Sequence, residues 1–192
     1  LPKLNQIPIL VKAPEKERLT LFAKTAEGFQ EMKEARKNSL ETRCKEIAKL
    51  VKNSKEQWLI WCDYNAEGEM LRKIIPECVE IKGGDKDDDK SKTMMDFVHK
   101  KVKILVSKSK ICGFGMNFQN CHNVIFCGIS YSYENYYQAT RRCWRFGQKN
   151  PVNVYIVLSE EEILALESIK AKEKNHQKLQ SLTCARAAES FS

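Results

Sequence analysis

Five residues, Trp58-Leu-Ile-Trp-Cys62, form an unbroken apolar run that stops at Asp63. A strand wetted on one face alternates polar and apolar side chains; an unbroken run has both faces covered, as in a parallel sheet between two helical layers. Further short strands are expected at Cys78 to Ile81, Lys103 to Val106, Asn123 to Cys127 and Val152 to Leu158. Helical segments separate most of them. Asn65 is the expected cap of a helix with Met70, Leu71, Ile74 and Ile75 facing inward and Pro76 ending it. The acidic run from Asp85 to Lys90 opens a second helix, whose apolar side is Met94, Phe97 and Val98. Ser159 and Glu162 form a capping box for a C-terminal helix that becomes a charged tail, fraying toward Ser192. Strands alternating with helices in this way predict a three-layer α/β fold with a mainly parallel sheet. Ligands of such sheets sit at the carboxyl ends of strands, here after Cys62, Ile81, Val106 and Cys127.

The N-terminal quarter reads differently. Residues 1–14 hold Pro2, Pro8 and Pro14 and are expected to be a connector. Ile7 to Val11 suit a short extended piece, which proline tolerates only at a sheet edge or outside a sheet. Glu15 to Lys37 is weakly patterned as a helix, with Gly28 inside it and a narrow stripe of Phe22, Ala26 and Phe29. After the capping residues Asn38 and Ser39, the apolar positions Leu40, Cys44, Ile47, Ala48 and Val51 keep strict helical spacing. A helical hairpin over 15–53 is therefore expected ahead of a core domain at 54–160, with a helix and tail at 161–192. The first residue is Leu, which suggests a piece of a longer polypeptide.

The formal net charge is +8, which suits a polyanionic partner as well as simple solubility. No apolar run approaches the ~20 residues of a membrane span. The eight cysteines form no Cys-x-x-Cys pair, and Cys62 and Cys127 sit inside apolar runs, as buried thiols of a reducing compartment do. Cys121-His122 with Cys127 has the wrong spacing for the common zinc frameworks.

Two stretches carry candidate chemistry. Gln138 to Gln148 reads Gln-Ala-Thr-Arg-Arg-Cys-Trp-Arg-Phe-Gly-Gln. Drawn as a helix with Gln138 at zero, Arg142 falls near about +40° and Arg145 near about −20°. One amide and two guanidinium groups then share a face, opposite Tyr133, Tyr136, Thr140 and Cys143. Such a face suits phosphate, because arginine presents a planar fork of donors; two arginines so spaced also suit a merely solvated surface. Trp144 is expected to pack. The second stretch, Ser107-Lys-Ser-Lys-Ile-Cys-Gly-Phe-Gly-Met-Asn117, follows a strand. Gly113 and Gly115 allow close backbone approach, and Ser107, Lys108, Ser109 and Lys110 offer hydroxyl and ammonium donors to a polyanion.

In that order, the two stretches resemble motifs V and VI of superfamily 2 helicases, and most nearly their Swi/Snf-type branch. Gly113, Gly115, Asn117, Val124, Ile125, Gln138, Ala139, Arg142, Arg145, Gly147 and Gln148 match as they stand. The Pro151-Val-Asn-Val-Tyr-Ile-Val segment also matches, Trp58 to Asp63 looks like motif IV, and Gly83 like the glycine of the next motif. The phrasing is similar in particular to bacteriophage-encoded members. Cys112 stands where glycine is frequent, and the segment after Gly83 has Lys90 and Lys92 nearby in place of the usual arginine.

The resemblance implies a RecA-like domain of the P-loop NTPase type: the second, C-terminal lobe of an ATP-dependent DNA helicase or translocase. Arg142 and Arg145 would then be arginine fingers, and Gln138 would couple the γ-phosphate to lobe closure. Gly113, Gly115 and Asn117 would line the ATP side, and Ser107, Lys108, Lys110 and Gly83 the nucleic-acid side. None of the eight glycines precedes a lysine, so there is no Walker A loop. ATP and Mg²⁺ would be held by an upstream lobe, without which this chain would be inactive. DNA is implied more than RNA, with no membrane partner and the cytoplasm of a bacterial or phage-infected cell as the setting. Two further readings stay open: a RecA-like module that binds nucleic acid without hydrolysis, and a purely structural assembly surface.

Overall fold

The computed structural model describes residues 1–12, 29–111 and 116–190. Its centre is a six-stranded sheet: β1 (Leu4–Val11), β2 (Trp58–Cys62), β3 (Cys78–Ile81), β4 (Ile104–Lys108), β5 (Asn123–Cys127) and β6 (Val152–Ser159). The spatial order is β1-β6-β5-β2-β4-β3, and every pairing is parallel. β2 lies at the middle, with Trp58 in register with Ile104 on one side and Asn123 on the other. All five residues of β2 are buried, as its unbroken apolar run requires.

Alternation along the strands divides the core in two. Leu59, Trp61, Leu105, Val124, Phe126, Val154 and Ile156 point to one face. There they meet Phe97 of α4 (Asp87–Val98), Tyr136 and Ala139 of α5 (Tyr133–Thr140), and Ala165, Leu166 and Ile169 of α6 (Ile163–Ser190). Trp58, Ile60, Cys62, Ile104, Val106, Ile125 and Cys127 point to the other face. That face is covered by Cys44, Ile47 and Val51 of α2 (Leu40–Val51) and Leu71 of α3 (Asn65–Ile74). The fold is a three-layer α/β arrangement, as the alternation of elements predicts. Among the described residues no helix is long and apolar enough to cross a membrane.

Several boundaries differ from expectation. Leu4–Val11 is a full edge strand of the sheet, with Pro8 opposite Ile156. An edge position tolerates a residue with no N–H, because one side of the strand makes no ladder bonds. The expected helix from Glu15 to Lys37 lies outside the described residues up to position 28; from there α1 (Phe29–Asn38) runs to the turn before α2. The cap of α3 is Tyr64 rather than Asn65, and the Glu67 carboxylate accepts the Asp63 and Tyr64 N–H groups at 2.9 and 3.1 Å. At the end of β6 the Glu162 carboxylate accepts the Ser159 N–H at 2.9 Å, and a 3₁₀ turn over Glu160–Glu162 leads into α6. Cys121 and Cys127 belong to the cores on opposite faces of the sheet, which separates the imagined zinc half-site.

Candidate functional site

The helix expected through Gln138 to Gln148 stops at Thr140. One contact and one backbone conformation shape the chain beyond it. The Arg142 carbonyl is taken by the Phe118 N–H at 2.8 Å, and Gly147 adopts φ +93°, a left-handed conformation that cannot continue a helix. Between them, tight turns carry the chain: Cys143 N–H donates to Thr140 O at 3.1 Å and Gln148 N–H to Arg145 O at 3.1 Å. The single-face geometry drawn from helical angles is therefore incorrect, yet the grouping survives. Gln138, Arg142 and Arg145 line one concavity of about 330 Å³ together with Tyr137 and Arg141.

The opposite side of this segment anchors it, with Tyr136, Thr140 and Cys143 buried. Half-buried Trp144 packs on the same core and donates its indole N–H to Pro2 O at 2.8 Å. Its ring lies under Arg141, 5.4 Å from the guanidinium carbon, so the arginine that stacks is one the motif does not require. Gln148 is a buried clamp: its amide nitrogen reaches the carbonyls of Gln119, Cys121 and Cys143 at 3.1, 3.0 and 3.4 Å.

Both arginines meet the segment that follows β4. Arg142 donates to Met116 O at 3.5 Å, and Arg145 donates to the Asn117 side-chain oxygen. Asn117, expected on the nucleotide side, is thus beside Arg145. Gly113 and Gly115 lie outside the described residues. At its other end, the same segment borders a second hollow of about 510 Å³ at the carboxyl ends of β2, β4 and β5. Asp63, Lys108, Ser109, Lys110, Ser130 and Asn135 are among its walls. Gly83 lies with Lys108 and Asn65 at a small cleft where β2, β3 and β4 end. Ser107 does not present its hydroxyl to solvent: it is buried, and the hydroxyl donates to Ile81 O at 3.0 Å. The reason is that β4 runs to Lys108, beyond its expected end, so Ser107 is still inside the sheet.

A buried ionic cluster, unforeseen in the sequence, forms the wall behind this hollow. Arg36 of α1 meets Asp63 at 2.8 Å and Glu67 at 2.6 Å. Arg43 of α2 meets Glu67 at 3.0 Å, and the carboxylate of Glu162 lies 3.5 Å from Arg36 and 3.8 Å from Arg43. Burial disfavours the Arg36 charge, but the carboxylates of Glu67, Asp63 and Glu162 more than compensate and hold its pKa above the usual value. Burial, with Cys127 nearby, pushes the Glu67 carboxyl up, against the pull of Arg36 and Arg43. Gly128, with φ +83°, makes room: a Cβ there would lie 2.7 Å from the Arg36 guanidinium. The cluster fixes the start of α3 and Asp63 relative to the sheet, and so holds one side of the hollow in place.

Comparison with known proteins agrees with this architecture. Residues 38–147 match the family described as helicase conserved C-terminal domain. The chain is 28% identical over 129 residues to the TATA-binding protein-associated factor MOT1 of Saccharomyces cerevisiae, covering 61% of this chain and 7% of that protein. It is 25% identical over 122 residues to the bifunctional helicase and thymine dioxygenase JBP2 of Leishmania braziliensis, covering 61% of this chain and 11% of that protein. It therefore spans only a small part of these relatives. Among solved structures, the C-terminal part of the Fun30 ATPase domain superposes with a TM-score of 0.58 at 22% identity, covering 67% of this chain and 44% of that one. The C-terminal domain of the DEAD-box protein Dbp5 gives 0.63 at 13% identity, over 90% and 86%. The fold is that of the RecA-like C-terminal lobes of these proteins, and the chain belongs to the helicase conserved C-terminal domain family.

Proposed function

We propose that this lobe is the C-terminal half of an ATP-driven DNA translocase or helicase of the Swi/Snf-like branch, and that it supplies arginine fingers to a nucleotide held by an upstream lobe. The observation that carries this reading is the convergence of Gln138, Arg142 and Arg145 on one concavity, beside Met116 and Asn117. Guanidinium groups suit the charge that develops on a departing γ-phosphoryl group. The described residues that line the concavity are Tyr137, Gln138, Arg141, Arg142 and Arg145; in this reading the other lobe supplies Mg²⁺ and the residue that orients the attacking water. Lys108 and Lys110 at the neighbouring hollow would follow the phosphate backbone, Gly83 would let it approach, and ATP turnover would move the lobes along it. Thymine, which the name of the JBP2 relative mentions, is a DNA base, and this favours DNA over RNA.

The test is nucleic-acid-stimulated ATP hydrolysis by the full-length polypeptide. Arg145→Ala should lower turnover by about 10³ or more, while this lobe alone should hydrolyse ATP negligibly. Full turnover in Arg145→Ala would instead favour a RecA-like module that binds nucleic acid without using these arginines.

A further inference from the structure

Phe146 sits between Arg145 and Gly147 and is 90% exposed, more than any other large apolar side chain among the described residues; Leu1 and Leu179 follow at 67% and 65%. Its backbone is not loose. Gln119 donates its amide N–H to the Phe146 carbonyl, Arg145 binds Asn117, and Gly147 closes the turn at φ +93°. On the next residue, the Gln148 amide holds three carbonyls of the body. A bare phenyl ring is thus held out on a fixed turn, next to the arginine-lined concavity.

A ring held in water forgoes the free energy of burial, and a fixed backbone leaves little ordering entropy to lose on contact. Both facts suit an anchor that enters a partner. The partner's chemistry follows from the neighbours. Arg141, Arg142 and Arg145 make the concavity positive, which suits anionic groups, while Phe146 suits an apolar recess close to them. A single strand offers phosphates and unstacked bases, but at no fixed spacing, and meeting it does not need a rigid turn. A folded lobe carrying a nucleoside triphosphate offers both at a fixed spacing.

We infer that Phe146 is a docking anchor: it enters an apolar recess on the nucleotide-bearing lobe when the cleft closes, and so sets the arginines at their working distance. This rests on the two-lobe reading proposed above.

The experiment is hydroxyl-radical footprinting of the full-length polypeptide, with and without Mg²⁺ and a non-hydrolysable ATP analogue, at two protein concentrations. The turnover of Phe146→Ser, Phe146→Leu and Arg145→Ala is measured alongside. Phe146 should be oxidised without nucleotide and protected with it, equally at both concentrations. Phe146→Ser should lose about tenfold in kcat, an interface anchor's contribution, with its melting temperature unchanged, and Phe146→Leu should recover most of the loss. Unchanged oxidation with nucleotide, or wild-type kcat in Phe146→Ser, would overturn the anchor. So would protection that needs high protein concentration but no nucleotide, which would mean a second copy covers the ring. If Arg145→Ala is inactive while Phe146 stays exposed, only the anchor fails; if Arg145→Ala is fully active, the two-lobe reading fails with it.

Discussion

Arg43 is fully buried in a domain of ordinary size, and its charge survives there because every part of its guanidinium has a partner. Nη1 meets Glu67 at 3.0 Å and the Cys127 sulfur at 3.3 Å, Nη2 donates to Arg36 O at 2.7 Å, and Nε donates to the Ser39 hydroxyl at 3.0 Å. An assembly of this kind adds little net stability when complete, because desolvating the charges offsets their attraction. Removing one member is different, since the remaining charges stay buried without compensation. Arg43→Met fills similar volume but leaves Arg36 as the one described guanidinium against Glu67 and Glu162. It should cost about 3–5 kcal/mol, measured as a shift in urea unfolding of the lobe. A loss under about 1 kcal/mol would mean that water or a relaxed Arg36 takes over the vacated position.

At the scale of elements, apolar runs made the strands legible: Trp58–Cys62, Cys78–Ile81 and Asn123–Cys127 have the bounds that their composition predicts. β1 was only partly legible, as a short extended piece over Ile7 to Val11, because Pro8 argues against a strand and nothing local reveals that one side of it pairs with β6. The ionic cluster was illegible for a related reason. Arg36 and Glu67 stand 31 positions apart, and only the finished sheet brings α1, α3 and the start of the last helix together. In the candidate site, helical spacing grouped Gln138, Arg142 and Arg145, and they do line one concavity, but not as one face of a helix. The chain leaves the helix at Thr140, and turns braced from the post-β4 segment do the gathering. Gly147 is the pivot of those turns. Gly147→Ala would force an L side chain into a left-handed backbone, with its Cβ 3.1 Å from the Gln119 amide nitrogen. A cost of about 1–3 kcal/mol is expected, read by chemical denaturation. An unchanged midpoint would show that the turn relaxes without strain.

For the whole molecule, the question is where the folding unit begins. Composition sets a helical hairpin at 15–53 apart from a core at 54–160; of that stretch, the described α2 packs directly on the sheet. Cys44, Ile47 and Val51 of α2 cover one face of the sheet against Trp58, Ile60 and Cys127, and Val11 of β1 belongs to the same core. β1 also completes the ladder along β6, and Pro2 just ahead of it accepts the Trp144 indole N–H. Starting the chain at residue 54 would bare that face of β2 and β5. It would also remove both guanidinium groups from Glu67 and Glu162, and turn β6 into a long uncovered edge. Exposed apolar edges of this length pair with other chains. A version beginning at residue 54 should therefore lack a cooperative thermal transition, bind a hydrophobic dye, and elute as aggregate, whereas residues 1–192 melt as one unit. Restoring residues 29–53 alone should recover part of the transition, because it returns the arginines and the α2 cover but not the β1 edge. Should the chain from residue 54 melt cooperatively as a monomer, the hairpin is an appendage after all, and the ionic cluster serves to place α1 and α2 rather than to hold the sheet's face closed.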